Sequence, residues 1–150
     1  MTSDLPAAPG NLPAEPNCFV GRERDLDELV AILDRGRALT LCGPGGIGKT
    51  RLALRLAAML GERFPDGIWI ADLSDADLAE AATPAETALE DRDQLIGLVT
   101  AALGIRPEAS RRLADALTEA LRPRAMLLIL DTCEHLVAES AELAQRLLAG

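Results

Sequence analysis

Residues 43–50 read Gly43-Pro44-Gly45-Gly46-Ile47-Gly48-Lys49-Thr50 and match the pattern G-x-x-x-x-G-K-S/T at every fixed position. The apolar run 37–42 before them predicts a buried strand, and the run 51–60 after them predicts an amphipathic helix. A glycine-rich turn between a strand and a helix is the local structure that binds nucleotide phosphates. The sequence therefore predicts a phosphate-binding loop (P-loop) in an α/β fold with a parallel sheet and flanking helices.

Each fixed residue of the loop has a physical task. Glycines allow backbone angles closed to other residues, so that N–H groups can turn towards phosphate oxygens, and the positive end of the following helix adds to this anion site. Lys49 is predicted to reach the β- and γ-phosphates, and the Thr50 hydroxyl to ligate Mg²⁺. The predicted nucleotide-binding residues are Gly43, Pro44, Gly45, Gly46, Ile47, Gly48, Lys49, Thr50 and Arg51.

Composition narrows the class of protein. The 150 residues suit one ordinary domain, and a net charge of −9 argues against a general electrostatic grip on nucleic acid. Three cysteines without paired spacing (Cys18, Cys42 and Cys133) favour a reducing cytoplasm over a disulfide framework. The chain has neither a signal-peptide pattern at its start nor an apolar run of 18 residues. We therefore expect a cytoplasmic protein that does not contact membranes.

Periodicity and turn residues organise the rest of the chain. Residues 1–17 carry four prolines and few large apolar residues, which predicts a flexible leader before a domain over 18–150. The acidic stretch 74–93 is interpreted as a solvated linker, with a metal cluster as the alternative. Helical spacing and β-rich runs predict helices over 25–33, 94–103, 110–121 and 136–148 and a strand over 68–73.

A second informative run covers residues 124–131, where five large apolar residues precede Asp131. This pattern predicts a strand over about 125–130 that is buried on both faces and ends in a carboxylate. Behind a P-loop, Asp131 is predicted to hold Mg²⁺ through water (the Walker B position), the alternative being a cap for the next helix. Glu134 could polarise a hydrolytic water or lie in the first turn of that helix. Cys133 and His135 are interpreted as structural rather than as a metal pair.

Four motifs together resemble the STAND class of signal-transduction ATPases, in the NB-ARC-like branch found in large bacterial transcriptional regulators. The resemblance covers about residues 11–148 and implies a switch between an ADP-bound resting state and an ATP-bound state that self-associates. It also assigns Val20, Gly21 and Arg22 to the adenine and ribose side of the nucleotide. It implies DNA binding only through a domain outside this chain. The motifs lie at residues 17–23, 41–53, 64–69 and 128–136.

Two departures from the family pattern bear on these expectations. Thr132 stands where such proteins often carry Asn or Asp, which implies slow hydrolysis. In the family, a strand that follows the Walker B strand in sequence inserts beside the P-loop strand, and the chain contains no such strand after Asp131. We therefore expect residues 18–150 to form the N-terminal portion of a larger domain, and the strands near 38–42 and 125–130 to lack their common neighbour.

The sequence accordingly predicts a regulatory switch module that binds ATP or ADP with Mg²⁺ and hydrolyses ATP slowly or not at all. One alternative is a catalytic ATPase of the AAA+ kind, which shares the P-loop and Walker B layout. Another is an interaction fragment with a vestigial nucleotide site, in which the helices around 94–121 bind a partner.

Overall fold

The computed structural model describes residues 9–13, 20–74, 76, 83–106 and 112–149, and these divide into two compact units. The first unit takes in Met1–Trp69 and Ala125–Leu127, and the second Ile70–Arg124 and Leu128–Gly150. In chain order the elements are α1 (Glu23–Leu33), α2 (Lys49–Met59), a 3-10 turn (Gly61–Arg63), β1 (Ile68–Asp72), α3 (Pro84–Ala102), α4 (Leu113–Leu121), β2 (Leu127–Asp131) and α5 (Val137–Ala149).

Helices α1 and α2 form the core of the first unit, as their apolar spacing predicted. Leucines recur every three or four residues on each helix, so one stripe of each turns inwards. The half-buried Leu39 and Leu41 pack against the same cluster. An exposed ion pair of 2.6 Å between Arg63 and Asp34 joins the C-terminal end of α1 to the 3-10 turn. The buried members of the cluster are Leu26, Leu29, Leu52, Leu56 and Leu60.

The strand predicted over 37–42 is not formed, and this prediction was wrong. Residues 38–44 belong to no helix or strand within the described chain. Leu39 and Leu41 are half-buried while Thr40 and Cys42 are exposed, which is the alternation of an extended segment with one face on the core. A strand also needs a neighbouring backbone to pair its N–H and C=O groups, and no described segment forms a ladder with this one.

Strands β1 and β2 pair in parallel and confirm the predicted small parallel sheet. The Leu127 N–H donates to the Gly67 carbonyl at 3.1 Å, and the Leu73 N–H donates to the Asp131 carbonyl at 3.0 Å, so both strands run the same way. The expected burial of β2 on both faces was wrong, since all its residues are half-buried. Burial of a strand on both faces requires other elements to cover both faces of the sheet.

The predicted turn at 64–67 aligns the two strands at their start. The Asp66 N–H donates to the Ala125 carbonyl at 3.1 Å, and the Asp66 carboxylate accepts the Ala125 N–H at 2.7 Å. Gly67 follows in the left-handed region, with φ of 98°. These two bonds bracket Ala125 and set the register in which β2 begins, two residues later, beside β1.

Part of the predicted leader contacts β1. The Ile68 N–H donates to the Pro9 carbonyl at 3.0 Å, and the Asn11 N–H donates to the Ile68 carbonyl at 3.3 Å. Gly10 and Ile68 therefore form a parallel bridge. The flexible leader over residues 1–17 remains a prediction, because positions 1–8 and 14–19 lie outside the described residues.

Helix α3 begins ten residues before the predicted start at 94, so the linker interpretation of 74–93 was wrong from Pro84 onwards. Thr83 caps the helix: its hydroxyl accepts the Glu86 N–H at 3.3 Å and donates to the Glu86 carboxylate at 2.8 Å. Proline at the first helical position also favours the start of a helix. The acidic residues before Thr83, at 75, 77 and 80, lie outside the described residues.

Helices α3, α4 and α5 pack together in the second unit. The described parts of α4 and α5 agree with the predicted helices over 110–121 and 136–148, although 107–111 lie outside the described residues. Arg146 on α5 contacts Asp115 and Thr118 on α4, which adds an exposed link between these two helices. The buried apolar side chains of the three helices are Leu95, Ile96, Val99, Leu117 and Leu143, and Leu103 just after α3 is also buried.

Replacing Ser140 by alanine is expected to raise the free energy of unfolding. Ser140 lies on α5 at 7% exposure, and its hydroxyl has no hydrogen-bond partner among the described residues. A buried unpaired hydroxyl is unfavourable and alanine favours helix, so we expect a gain of about 1 kcal/mol in chemical denaturation. Thr100→Val is the control, because the buried Thr100 hydroxyl donates to the Ile96 carbonyl at 2.6 Å and its removal should destabilise. A loss of stability in Ser140→Ala would contradict the prediction.

Candidate functional site

The P-loop lies on the surface at the N-terminal end of α2. Gly46 and Gly48 have φ values of 77° and 93°, in the left-handed region that side-chain-bearing residues avoid. Of the four loop glycines, Gly43 and Gly45 do not use this freedom, since neither has a positive φ. Gly48 caps α2, and the first N–H groups of a helix have no partner inside the helix. The loop therefore presents a helix N-terminus to an anion.

Lys49, the first residue of α2 and the chain's single lysine, folds back over the loop. Its ammonium group donates to the Gly43 carbonyl at 2.9 Å and to the Pro44 carbonyl at 3.2 Å. The Ile47 N–H donates to the Pro44 carbonyl at 3.4 Å, which closes the turn beneath. The positive charge of Lys49 thus lies beside the glycine-rich backbone, where the phosphates of a bound nucleotide would need it.

Val20, Gly21 and Arg22 precede α1. Val20 is 88% exposed, Gly21 and Arg22 have φ values of 81° and 63°, and Arg22 is the N-cap of the helix. Its guanidinium lies 3.8 Å from the Asp25 carboxylate. Because α1 and α2 share one core, residues 20–22 and the P-loop each stand at the N-terminal end of a helix in the same packed pair. Their role towards adenine and ribose stays a prediction.

Asp131 is the last residue of β2 and lies half-buried at its carboxyl end. The alternative role as a helix cap is not supported, because α5 begins only at Val137. The same boundary places Glu134 in the connecting turn, exposed and three residues before the helix, rather than in its first turn. Asp131 and Glu134 therefore both belong to the end of β2 and the segment leading to α5.

The connecting segment between β2 and α5 has two features that the sequence did not reveal. Thr132 has φ of 59°, and its N–H donates to the Asp131 carboxylate at 3.0 Å. The half-buried His135 forms a hydrogen bond of 3.0 Å between Nε2 and the Leu73 carbonyl, just after β1. A carbonyl can only accept, so Nε2 carries the proton. Sequence patterns do not show such bonds, because the partners are 62 positions apart.

The P-loop and the β2 terminus, each taken by itself, carry groups of the chemical type that a magnesium nucleotide needs. A helix N-terminus behind left-handed glycines, with an ammonium group beside it, is suited to a polyphosphate. Hydroxyl and carboxylate oxygens, as on Thr50 and Asp131, are the ligands that Mg²⁺ prefers. Residues 43–51 belong to the first unit, and Asp131 and Glu134 to the second.

Other features of the described chain do not add a candidate site. A surface groove of about 350 Å³ between α3 and α5 is lined by none of the predicted residues. Within the described chain, no three His, Cys, Asp or Glu side chains are grouped as a metal site would require. The described helices include none with the length and apolar character needed to cross a membrane.

The chain belongs to the AAA ATPase domain family, whose family model matches residues 18–150. This match establishes a P-loop ATPase domain of the α/β class. It covers the P-loop, the Asp131 strand and all five described helices, so it applies to both units of the structure.

Several curated proteins are similar to the chain. An uncharacterized protein of Mycobacterium tuberculosis is 35% identical over 130 residues, which are 87% of this chain and 30% of the relative. A protein of the same species that is provisionally named an HTH-type transcriptional regulator is 36% identical over 80% of this chain, which corresponds to 12% of the regulator's length. Regulatory protein AfsR of Streptomyces coelicolor is 32% identical over a region that makes up 87% of this chain and 14% of AfsR. The chain thus spans less than a third of each relative, and no solved structure matches it.

Proposed function

We propose that the chain is the nucleotide-binding switch module of a regulatory protein of the STAND type, with an NB-ARC-like site for Mg·ATP and Mg·ADP. The observation that carries this proposal is the P-loop itself: left-handed Gly46 and Gly48 before a helix that starts at Lys49, with the Lys49 ammonium held over the loop. This arrangement favours a bound polyphosphate on both geometric and electrostatic grounds.

The regulatory part of the proposal draws on the similar proteins. Two of the three described above carry names of regulators, and the matched region is a small fraction of each. An ATPase domain within a much longer regulator would serve as a switch that responds to a signal received by other segments. The net charge of −9 argues against a general electrostatic grip on nucleic acid, so any contact with DNA would belong to another domain.

Each proposed residue has a defined part in binding. The P-loop N–H groups and Lys49 would neutralise the phosphates, Thr50 would ligate Mg²⁺, Asp131 would hold it through water, and the segment Val20–Arg22 would contact the base and ribose. Bound Mg²⁺ would supply charge neutralisation at the phosphates. Glu134 is the candidate for orienting water, and its exposed position in a turn suits slow turnover better than efficient catalysis. Slow turnover would keep the ATP state long enough to support self-association.

Calorimetric titration of the purified chain with Mg·ADP and Mg·ATP tests the proposal. We expect saturable binding with Kd of about 1 μM, or about −8 kcal/mol. Because Lys49 is the chain's single lysine, reductive ¹³C-methylation labels only its amine and the N-terminus. The Lys49 methyl resonance should shift on nucleotide addition while the N-terminal one stays as an internal reference. Absence of both binding and a shift in the folded chain would rule out the proposed module.

The catalytic alternative is distinguished by turnover. A catalytic AAA+ ATPase reaches rates of about 1 per second or more, whereas a switch is expected to release phosphate far more slowly under saturating Mg·ATP. The interaction-fragment alternative is distinguished by binding itself, since a vestigial site would leave the Lys49 resonance unchanged. Phosphate release and nucleotide titration on one preparation separate all three functions.

A further inference from the structure

The carboxyl ends of β1 and β2 are tied together through one residue, Leu73. Its N–H donates to the Asp131 carbonyl at 3.0 Å, and its carbonyl accepts from His135 Nε2 at 3.0 Å. Leu73 is fully buried, while Asp131 and His135 are half-buried. The segment from Asp131 to His135 is therefore held at both of its ends by the same backbone unit.

Between these two attachments the chain takes an unfavourable conformation. Thr132 is β-branched and has φ of 59°, where such residues are rare. Strained backbone of this kind persists only when the surrounding contacts hold it in place. Within this segment the Thr132 N–H donates to the Asp131 carboxylate at 3.0 Å. The attachment at His135 thus helps to hold the segment in which this bond to the Asp131 side chain forms.

We infer that His135 is a positioning residue: its Nε2–H bond to the Leu73 carbonyl fixes the Asp131–His135 segment and with it the carboxylate of Asp131. The inference rests on the proposed function, in which Asp131 holds Mg²⁺ through water. It assigns His135 to the Mg²⁺-dependent part of nucleotide binding and leaves the phosphate contacts of the P-loop unaffected. Residues that orient a metal ligand in this way commonly contribute about 10- to 100-fold to metal affinity or activity.

The imidazole itself provides a test that needs no nucleotide. His135 is the chain's single histidine, so its ¹⁵N resonances are observed without overlap. We expect the proton on Nε2, with slow exchange against solvent because the ring is half-buried and bonded. An imidazole in which the Nε2 proton exchanges as fast as in a free histidine would overturn the inference, whether or not the chain binds nucleotide.

The functional test compares ATP affinity in Mg²⁺ with ATP affinity in EDTA, and the ratio of the two is the Mg²⁺ enhancement. His135→Leu removes the donor and should lower this enhancement about tenfold while the affinity in EDTA is unchanged. His135→Gln should keep it, because the glutamine amide nitrogen reaches the position of Nε2, whereas His135→Asn is one bond too short and should lose it. Arg146→Ala is the matched control, since it removes side-chain bonds elsewhere in the same unit.

These experiments distinguish a failure of the positioning role of His135 from a failure of the proposed nucleotide site. If His135→Leu does not fold, the Gln and Asn variants decide the question, because both keep a polar amide. Equal Mg²⁺ enhancement in the wild type, Gln and Asn variants would overturn the positioning role. A wild-type chain without any Mg²⁺ enhancement would refute the proposed role of Asp131 in the nucleotide site, and the exchange rate of the Nε2 proton would still show whether His135 holds the segment.

Discussion

Lys49→Ala is expected to weaken binding of Mg·ATP and Mg·ADP by about 10- to 100-fold, the largest functional effect of any single substitution in the chain. Hydrogen bonds to charged groups contribute about 1.5–3 kcal/mol, and the Lys49 ammonium is the positive charge beside the loop carbonyls. The variant should stay folded, because Lys49 begins a helix whose buried face is formed by Leu52 and Leu56. Calorimetric titration with both nucleotides measures the loss.

Arg35→Ala is the matched control for Lys49→Ala. It also removes one positive charge, and Arg35 is an exposed residue just after α1. If net charge alone governed affinity, both variants would weaken binding equally. Equal affinities in Lys49→Ala and the wild type would show that the loop does not bind nucleotide through its lysine, and the proposed switch would have to be abandoned.

Gly67→Ala is expected to give the largest loss of stability. A Cβ at this position would lie 2.0 Å from the Pro9 carbonyl oxygen, and the φ of 98° is unfavourable for alanine by about 1–2 kcal/mol. Relieving the clash requires the leader to leave β1, which breaks the two backbone bonds to Ile68 at about 0.5–1.5 kcal/mol each. We expect a total of about 2–5 kcal/mol in chemical denaturation.

Two comparisons separate the contributions at Gly67. Gly97→Ala on α3 meets no atom within 4 Å and should raise stability by up to about 1 kcal/mol, since alanine favours helix. Removing residues 1–11 eliminates the clash, so Gly67→Ala in that background should cost only the backbone term of about 1–2 kcal/mol. An undiminished cost in the shortened chain would show that the leader does not contact β1.

Local patterns predicted much of the fold. The spacing of Leu26, Leu29 and Leu33 predicted α1, and the turn at 64–67 predicted where β1 begins. The start predicted for α3 was too late, and this error was avoidable. Thr83 and Glu86 have the spacing of a capping box, and the proline after Thr83 is also typical of a helix start. The charged residues of 84–93 obscured that helix, since acidic side chains are common both in linkers and on helix surfaces.

The strand predicted over 37–42 failed for a different reason. Alternating apolar residues show that one face of a segment is buried, and the structure agrees for Leu39 and Leu41. Whether such a segment becomes a strand depends on a second backbone at about 4.8 Å, which no property of the segment itself can supply. The half-buried state of β2 has a similar cause, because burial of a strand is decided by what packs on the sheet.

The sequence by itself determined the P-loop, the class of fold, the helices and the position of Asp131 at a strand end, because these depend on residue types at short spacing. Only the tertiary structure decided that the left-handed glycines are Gly46 and Gly48, that Pro9–Asn11 contacts β1, and that His135 bonds to the Leu73 carbonyl. The last two of these features join residues far apart in the chain, and hydrogen bonds between distant groups depend on how the elements pack, which local patterns do not encode.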